Sequence, residues 1–348
     1  MDNIIIIGGG ISGLYAAYLL QQQGRNYQLL EADSQLGGRA KGIAVTDNHQ
    51  LELGATWYWR DFQAELDQLI QQLGLTTFDA STGKLLMEYQ AHQPAKAYAS
   101  PYVDGQRLQG GMPALIHALA QGLNPRNIYL NQRVKSIHLQ GQKLHIQSQN
   151  QHYQASQVLL AIPPRLAVQQ IQFFPALPPI IQQQWQGTAT WMASQAKYIA
   201  VYDRPFWREQ GLSGQAHSQV GPMVEVHDIS DEQGTFGALF GFIGLSAKAR
   251  QQLGEDKLIQ QCQAQFIRLF GQSASAVRAS YLKDWATDPF IATPADQAPH
   301  LTHPTAPIAL LPEPWQAKLY GISSEFSPNF TGFLAGAVES ARLAVARL

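Results

Sequence analysis

The sequence predicts an α/β protein in which a buried parallel sheet is assembled from separate parts of the chain, beside a smaller region of mixed strands and helices. The first observation is a strand–helix–strand pattern at the very start of the chain. The second is that glycine-rich turns next to apolar runs recur at about residues 105–165 and 300–348. A chain of 348 residues has room for two domains, since a domain takes roughly 100–200 residues.

The N-terminal pattern begins with an unbroken β-branched run, residues 4–7, which is typical of a parallel strand buried on both faces. A glycine-rich turn follows, and then an apolar helical pattern over residues 14–20. A second strand, residues 27–30, ends at Glu31. This order and spacing predict a Rossmann-like βαβ unit.

The residues of the turn each have a physical task in binding a dinucleotide. Gly8 permits the tight turn, Gly10 lets the backbone approach a pyrophosphate, and Gly13 lets the helix pack close to the strand. The first helical residues, Ile11 and Ser12, then present free N–H groups to the phosphates.

The acidic end of the second strand completes the pattern. A carboxylate at Glu31, with Ala32 beside it, can accept both ribose hydroxyls and disfavours a 2′-phosphate. Glycine-rich turns also occur where nothing binds, but here strand, turn, helix and acid are all in register. The sequence therefore predicts dinucleotide binding, and this motif leaves NAD and FAD as alternatives.

Two further segments distinguish between these cofactors. Gly38 and Arg39 follow closely after Glu31. A second turn comes a little later and contains Gly54, Ala55 and Thr56. The combination resembles the FAD-binding fingerprint of the flavin-containing amine oxidase family. The resemblance implies that the arginine lies near the pyrophosphate, that the second turn runs beside the flavin ring, and that the cofactor is FAD.

The resemblance extends to the C-terminus. A strand over residues 131–137 is similar to the family strand whose valine backbone, here Val134, contacts the adenine. Residues 319–340 are similar to the family's GTE…GYMxGAxESG signature. This implies Ser324 and Glu325 near the ribityl and pyrophosphate groups, and the N–H of Leu334 on the flavin O2. A helix N-terminus at that position would stabilise the anionic reduced ring.

Two positions in the remaining sequence resemble the family's flavin-facing residues. Lys197 lies in an apolar strand that leads to a Pro-Phe-Trp motif, and in the family this lysine holds a water at flavin N5. An edge lysine facing solvent is the alternative. Trp285 follows the pattern of the family's Lys-x-Trp segment and would pack at the dimethylbenzene side of the flavin. Its alternative is an ordinary core tryptophan.

The chain also departs from the family. No cysteine follows Trp285 and the single Cys262 lies in the helical run 258–270, so we expect non-covalent FAD. The tyrosine of the GYM signature is Phe333 here, which leaves only half of an aromatic cage for the amine. Trp57, directly after the flavin-side turn, could line the substrate pocket; core packing is its alternative.

Composition excludes several classes of protein. A net charge of −1 argues against nucleic-acid binding. No apolar run reaches the roughly 18 residues of a membrane helix, and no secretion-signal pattern is present, so we expect a cytoplasmic protein. The histidines show no metal-ligand spacing, which predicts no metal site. His300 and His303, in a proline-rich loop, are expected to be solvated.

The interleaved motifs predict the domain organisation. Residues 1–55, 105–165 and 300–348 should form the FAD-binding domain, and residues 56–104 and 166–299 a mixed α+β substrate domain.

The predicted function is hydride transfer from an amine to flavin N5, with O2 reoxidising the flavin and Lys197 assisting. The substrate would be a small molecule. The alternatives are a dehydrogenase, desaturase or isomerase acting on a non-amine, and a non-catalytic FAD-binding scaffold. The oligomeric state is not determined by the sequence.

Overall fold

The computed structural model of the chain describes residues 3–46, 49–79, 82–99, 105–298 and 302–348. The strands are β1 (Asn3–Ile7), β2 (Asn26–Leu30), β3 (Gly42–Thr46), β4 (His49–Glu52), β5 (Thr77–Asp79), β6 (Lys84–Glu88), β7 (Lys96–Ala99), β8 (Gln106–Leu108), β9 (Ile128–Tyr129), β10 (Val134–Gln140), β11 (Lys143–Ser148), β12 (His152–Ala155), β13 (Gln157–Leu160), β14 (Gln172–Phe174), β15 (Ala196–Tyr202), β16 (Leu212–Ser218), β17 (Met223–Asp228), β18 (Gly237–Ile243), β19 (Ala279–Asp284) and β20 (Leu319–Gly321). The α-helices are α1 (Ile11–Gln22), α2 (Ala64–Gln72), α3 (Met112–Gln121), α4 (Pro164–Gln170), α5 (Pro179–Gly187), α6 (Phe206–Glu209), α7 (Ala247–Leu253), α8 (Glu255–Phe270) and α9 (Leu334–Val345).

A five-stranded parallel sheet with the order β20-β13-β1-β2-β9 joins distant parts of the chain. Ile4 and Ile6 of β1 face a layer that contains α1, α3 and α9, whereas Ile5 and Ile7 face the opposite side. Burial on both faces stabilises each side chain by roughly 1.5–3 kcal/mol. The predicted α/β class with a Rossmann-like unit is confirmed.

A four-stranded sheet, β12-β11-β10-β14, covers the second face of the parallel sheet. Helix α5 packs into the same cluster through Ile181 and Trp185. The start of the expected substrate segment 166–299 therefore packs against the nucleotide-binding layers. The expected strand 131–137 begins later, at Val134, because Asn131 has a left-handed backbone with a φ of 57°.

A seven-stranded sheet, β19-β15-β18-β17-β16-β6-β7, forms the other large layer. Strand β15 lies between β18 and β19 and is buried along its length. Alternation along β15 points Tyr198 towards α8 and its Cys262, while Ile199 packs in the cluster on the other side. Lys197 shares the parity of Ile199, so it faces away from α8. The helical run expected over residues 258–270 lies within α8.

Within the described ranges, no helix combines the length and the apolar character that crossing a bilayer requires.

Candidate active site

Two neighbouring cavities, which share Ile291, bring most of the predicted site residues together. The larger has a volume of about 250 Å³ and the smaller about 80 Å³. The larger is lined by the predicted residues Gly10, Ile11, Ser12, Arg39, Gly54, Ala55, Thr56, Trp57, Lys197, Trp285, Ser324, Phe333 and Leu334. The smaller is lined by Gly8, Glu31, Ala32, Gly38 and Val134. Gly13 and Glu325 lie directly behind these walls.

Two helix N-termini open into the larger cavity. Gly10 and Phe333 precede α1 and α9, and neither residue caps its helix with a side-chain hydrogen bond. The first N–H groups of both helices are therefore available to a ligand, with the positive ends of two helix dipoles behind them. This is a donor set suited to phosphate and to an anionic ring edge.

Close packing of α1 on the first turn depends on Gly13. A Cβ atom at this position would lie 1.9 Å from the carbonyl oxygen of Gly8. We expect Gly13→Ala to displace the turn and to abolish FAD retention, measured as the flavin absorbance that survives gel filtration. Gly187→Ala is the control, because no atom lies within 4 Å of a Cβ placed there. Full FAD retention by G13A would contradict the proposed role of this turn.

Glu31 ends β2 with its carboxylate buried beside the smaller cavity. The backbone N–H of Gly9 donates to one carboxylate oxygen over 2.5 Å, and the N–H of Asp33 donates to the other over 2.7 Å. Burial raises the pKa of Glu31 above its usual value, although these hydrogen bonds act against the increase. The two hydrogen bonds fix the carboxylate beside the smaller cavity, and its recognition of a ribose stays a prediction.

Arg39 and Glu325 form a bidentate ion pair across the site, with N–O distances of 2.7 and 2.9 Å. Glu325 is fully buried and also accepts from the hydroxyl of Ser323 and the N–H of Trp191. Burial alone would raise the pKa of Glu325, but the charge of Arg39 and these bonds hold it below its usual value. The pair ties the N-terminal and C-terminal motifs to the Trp191 segment.

Lys197 extends from β15 into the larger cavity. Its Nζ donates to the carbonyl of Gly54 over 2.5 Å and to the hydroxyl of Thr56 over 2.9 Å. Burial lowers the pKa of Lys197 to about 7, partly opposed by Glu52 and reinforced by Arg107. An edge lysine facing solvent is excluded, because only 2% of the residue is exposed. This amine can gain or lose a proton near neutral pH.

Glu52 was not singled out from the sequence, although an acid within the apolar run at residues 51–53 was a signal. It is 1% exposed, and neither carboxylate oxygen has a hydrogen-bond partner among the described residues. Its carboxylate lies against Gly111, where a Cβ would be 2.8 Å from Oε1. Glu52 and Arg107 line a third, smaller cavity.

Trp285 lies at one end of the larger cavity, where it is 4% exposed. Its indole N–H donates to the carbonyl of Leu53 over 3.1 Å, which fixes the ring against the second glycine turn. The ammonium of Lys283 lies 4.4 Å from the ring centroid. Trp285 is thus both a packed tryptophan and a wall of the cavity.

Further aromatic rings pack against one another at the larger cavity. Trp59 and Phe333 meet edge to face at 6.2 Å, while His303 stacks on Trp191 at 3.6 Å and on Phe333 at 4.3 Å. The Nδ1 of His303 donates to the carbonyl of Thr331 over 2.9 Å. His303 is exposed, as expected, but the stacking was not foreseen. His300 lies outside the described residues.

The fold, the paired helix N-termini and the lysine-bearing cavity define the class of protein, a flavoprotein oxidoreductase. The chain belongs to the family described as flavin containing amine oxidoreductase, whose model matches residues 78–348. A second model, the NAD(P)-binding Rossmann-like domain, matches residues 6–73. The predicted family, the FAD cofactor and the assignment as an amine-oxidising enzyme are confirmed.

Several amine oxidases are similar to this chain over most of its length. A probable flavin-containing monoamine oxidase A of Dictyostelium discoideum is 24% identical over 97% of this chain and 95% of its own length. A putrescine oxidase of Kocuria rosea is 24% identical over 72% of this chain and 77% of its own. The solved cyclohexylamine oxidase of Brevibacterium oxydans shares the fold, with a TM-score of 0.83, 18% identity, and coverage of 99% and 98%.

Proposed function

We propose that the two neighbouring cavities hold FAD and that the larger one also receives the amine. The observation that carries this proposal is that the N-termini of α1 and α9 and the Nζ of Lys197 all open on one cavity. The residues present fit the group, since the cavity walls offer free N–H donors where a phosphate and a ring edge need them.

The proposed contacts follow the shape of the cavities. The Gly8–Gly10 turn with Ile11, Ser12 and Arg39 would hold the pyrophosphate, Glu31 and Ala32 the ribose, and Val134 the adenine. Gly38, Gly54, Ala55, Thr56, Trp285, Ser324 and Leu334 would line the remainder of the cofactor, and Glu325 would keep Arg39 in place.

When bound, FAD would supply the redox chemistry, which is acceptance of a hydride from the carbon that bears the amine and transfer of the electrons to O2. The rings of Trp57 and Phe333, which line the larger cavity, bind the substrate and exclude water from the reacting atoms. The N-terminus of α9 at Leu334 offers a fixed positive dipole to the charge that accumulates during reduction. Lys197 is proposed to hold a water molecule and to exchange a proton there.

The position of Cys262 supports non-covalent FAD. This thiol is buried in α8, on the face of the seven-stranded sheet opposite to Lys197. Burial raises the pKa of Cys262 to about 12, so the reactive thiolate is scarce. The division into an FAD-binding domain and a substrate domain stays a prediction, and we propose that α4 and α5 belong with the former because they pack there.

The visible spectrum of the purified protein is the first test. We expect flavin bands near ~370 and ~450 nm that remain in the supernatant after acid precipitation, and anaerobic bleaching by an amine but not by NADH or NADPH. Yellow colour in the pellet would contradict non-covalent binding. A flavin that no amine bleaches would contradict the proposed reaction.

A further inference from the structure

The described lining of the larger cavity is rich in large aromatic rings. Besides Trp285, it includes Trp57, Trp59, Trp191, Phe242 and Phe333. Rings of this size bind an apolar body through contact area and through the faces of their π systems. This lining favours a substrate whose body is apolar.

Among the described residues that line the larger cavity, the side chains able to carry a charge are the basic Arg39 and Lys197, and no aspartate or glutamate is among them. Arg39 is already neutralised by Glu325 behind the wall. The Nζ of Lys197 contacts a carbonyl and a hydroxyl rather than a carboxylate.

We infer that the substrate is a monoamine with an uncharged, apolar body, and that diamines and polyamines are excluded by charge. The inference rests on the proposed function and names the substrate class of the same site. A second ammonium group in this cavity would lose its hydration and find no carboxylate among the described lining residues, and an unpaired buried charge is strongly disfavoured. A neutral chain of the same length carries no such penalty.

The behaviour of Lys197 supports the same conclusion. Burial lowers the pKa of its amine to about 7, which shows that the cavity disfavours an ammonium charge. The second ammonium of a diamine would enter the cavity that Lys197 lines. The reacting nitrogen is affected less, because amine oxidation by hydride transfer uses its neutral form.

Matched pairs of substrates test the inference in the holoenzyme. Anaerobic flavin bleaching is followed with butylamine against putrescine, hexylamine against 1,6-diaminohexane, and benzylamine against 4-(aminomethyl)benzylamine. The compared quantity is the rate constant of flavin reduction divided by the Kd of the amine. For the best monoamine we expect this quantity to be ~100-fold larger than for the matching diamine, because the diamine binds more weakly. A ratio below ~10 would overturn the inference, whereas a flavin that none of the amines bleaches would overturn the proposed function instead.

A variant that is expected to oxidise diamines better than the wild type provides an independent test. Gln63 lines the cavity, is buried, and accepts the N–H of Trp59 through Oε1 over 3.2 Å. Gln63→Glu keeps that acceptor and adds a carboxylate at the N-terminus of α2, where negative charge is favoured. We expect the putrescine-to-butylamine ratio to rise ~10-fold.

The control is Gln68→Glu, which adds the same charge to an exposed position of α2. Its putrescine-to-butylamine ratio should equal that of the wild type. An equal increase in Q63E and Q68E, or none in a Q63E protein that retains its flavin spectrum, would count against the inference.

Discussion

Arg39→Ala should lower the free energy of unfolding by about 3–5 kcal/mol, because it leaves the carboxylate of Glu325 buried without its counter-charge. The loss should be measured by urea denaturation at pH 7 in the holoenzyme. Adding Glu325→Gln should restore part of the stability, since the unpaired charge is then absent. Arg342→Ala, which breaks a partly exposed pair with Glu65, should cost no more than about 1 kcal/mol.

The pH dependence of this loss has a definite sign. In the wild type Arg39 lowers the pKa of Glu325, so the contribution of the pair is present at neutral pH and is lost as the pH falls through that lowered pKa. In R39A only the effect of burial remains, which raises the pKa of Glu325, so protonation relieves the cost as the pH falls below 7. A stability difference that grows over this range would contradict the assignment.

Lys197→Met should slow reoxidation of the reduced enzyme by O2 by ~100-fold, the usual range for a positioned acid or base. FAD retention and anaerobic reduction by an amine should change little, because Lys197 is proposed to act on the water and proton rather than on binding. The wild-type rate should show an inflection near pH 7, the pKa to which burial lowers this amine, and K197M should lack it. Stopped-flow oxidation across pH 6–9 measures both.

The same variant has a predicted effect on stability. Because the folded pKa of Lys197, about 7, lies below its ordinary value of 10.5, the unfolded chain binds more protons between these pH values. Wild-type stability should therefore rise across this window, and K197M should rise less steeply. Lys84→Met, at an exposed position of β6 in the same sheet, is the control and should match the wild type. Unchanged reoxidation in K197M would contradict its proposed role.

Local sequence patterns were sufficient for the elements of the fold. The β-branched run predicted β1, and the helical run expected over residues 258–270 lies within α8. Glycine spacing located the turn before α1 because only glycine tolerates the close approach found at Gly13. Similarity to a family then indicated which separated motifs meet, and the structure places them around two neighbouring cavities.

The sequence by itself determined the class of fold and, through its resemblance to a family, the cofactor, because these depend on local periodicity, glycine spacing and motif. Only the tertiary structure paired Arg39 with Glu325, stacked His303 between Trp191 and Phe333, and left Glu52 without a hydrogen-bond partner among the described residues. The physical reason is that the sequence specifies the type and charge of each side chain. Its counter-charge, its burial and its neighbours depend on which distant segments of the chain pack against it.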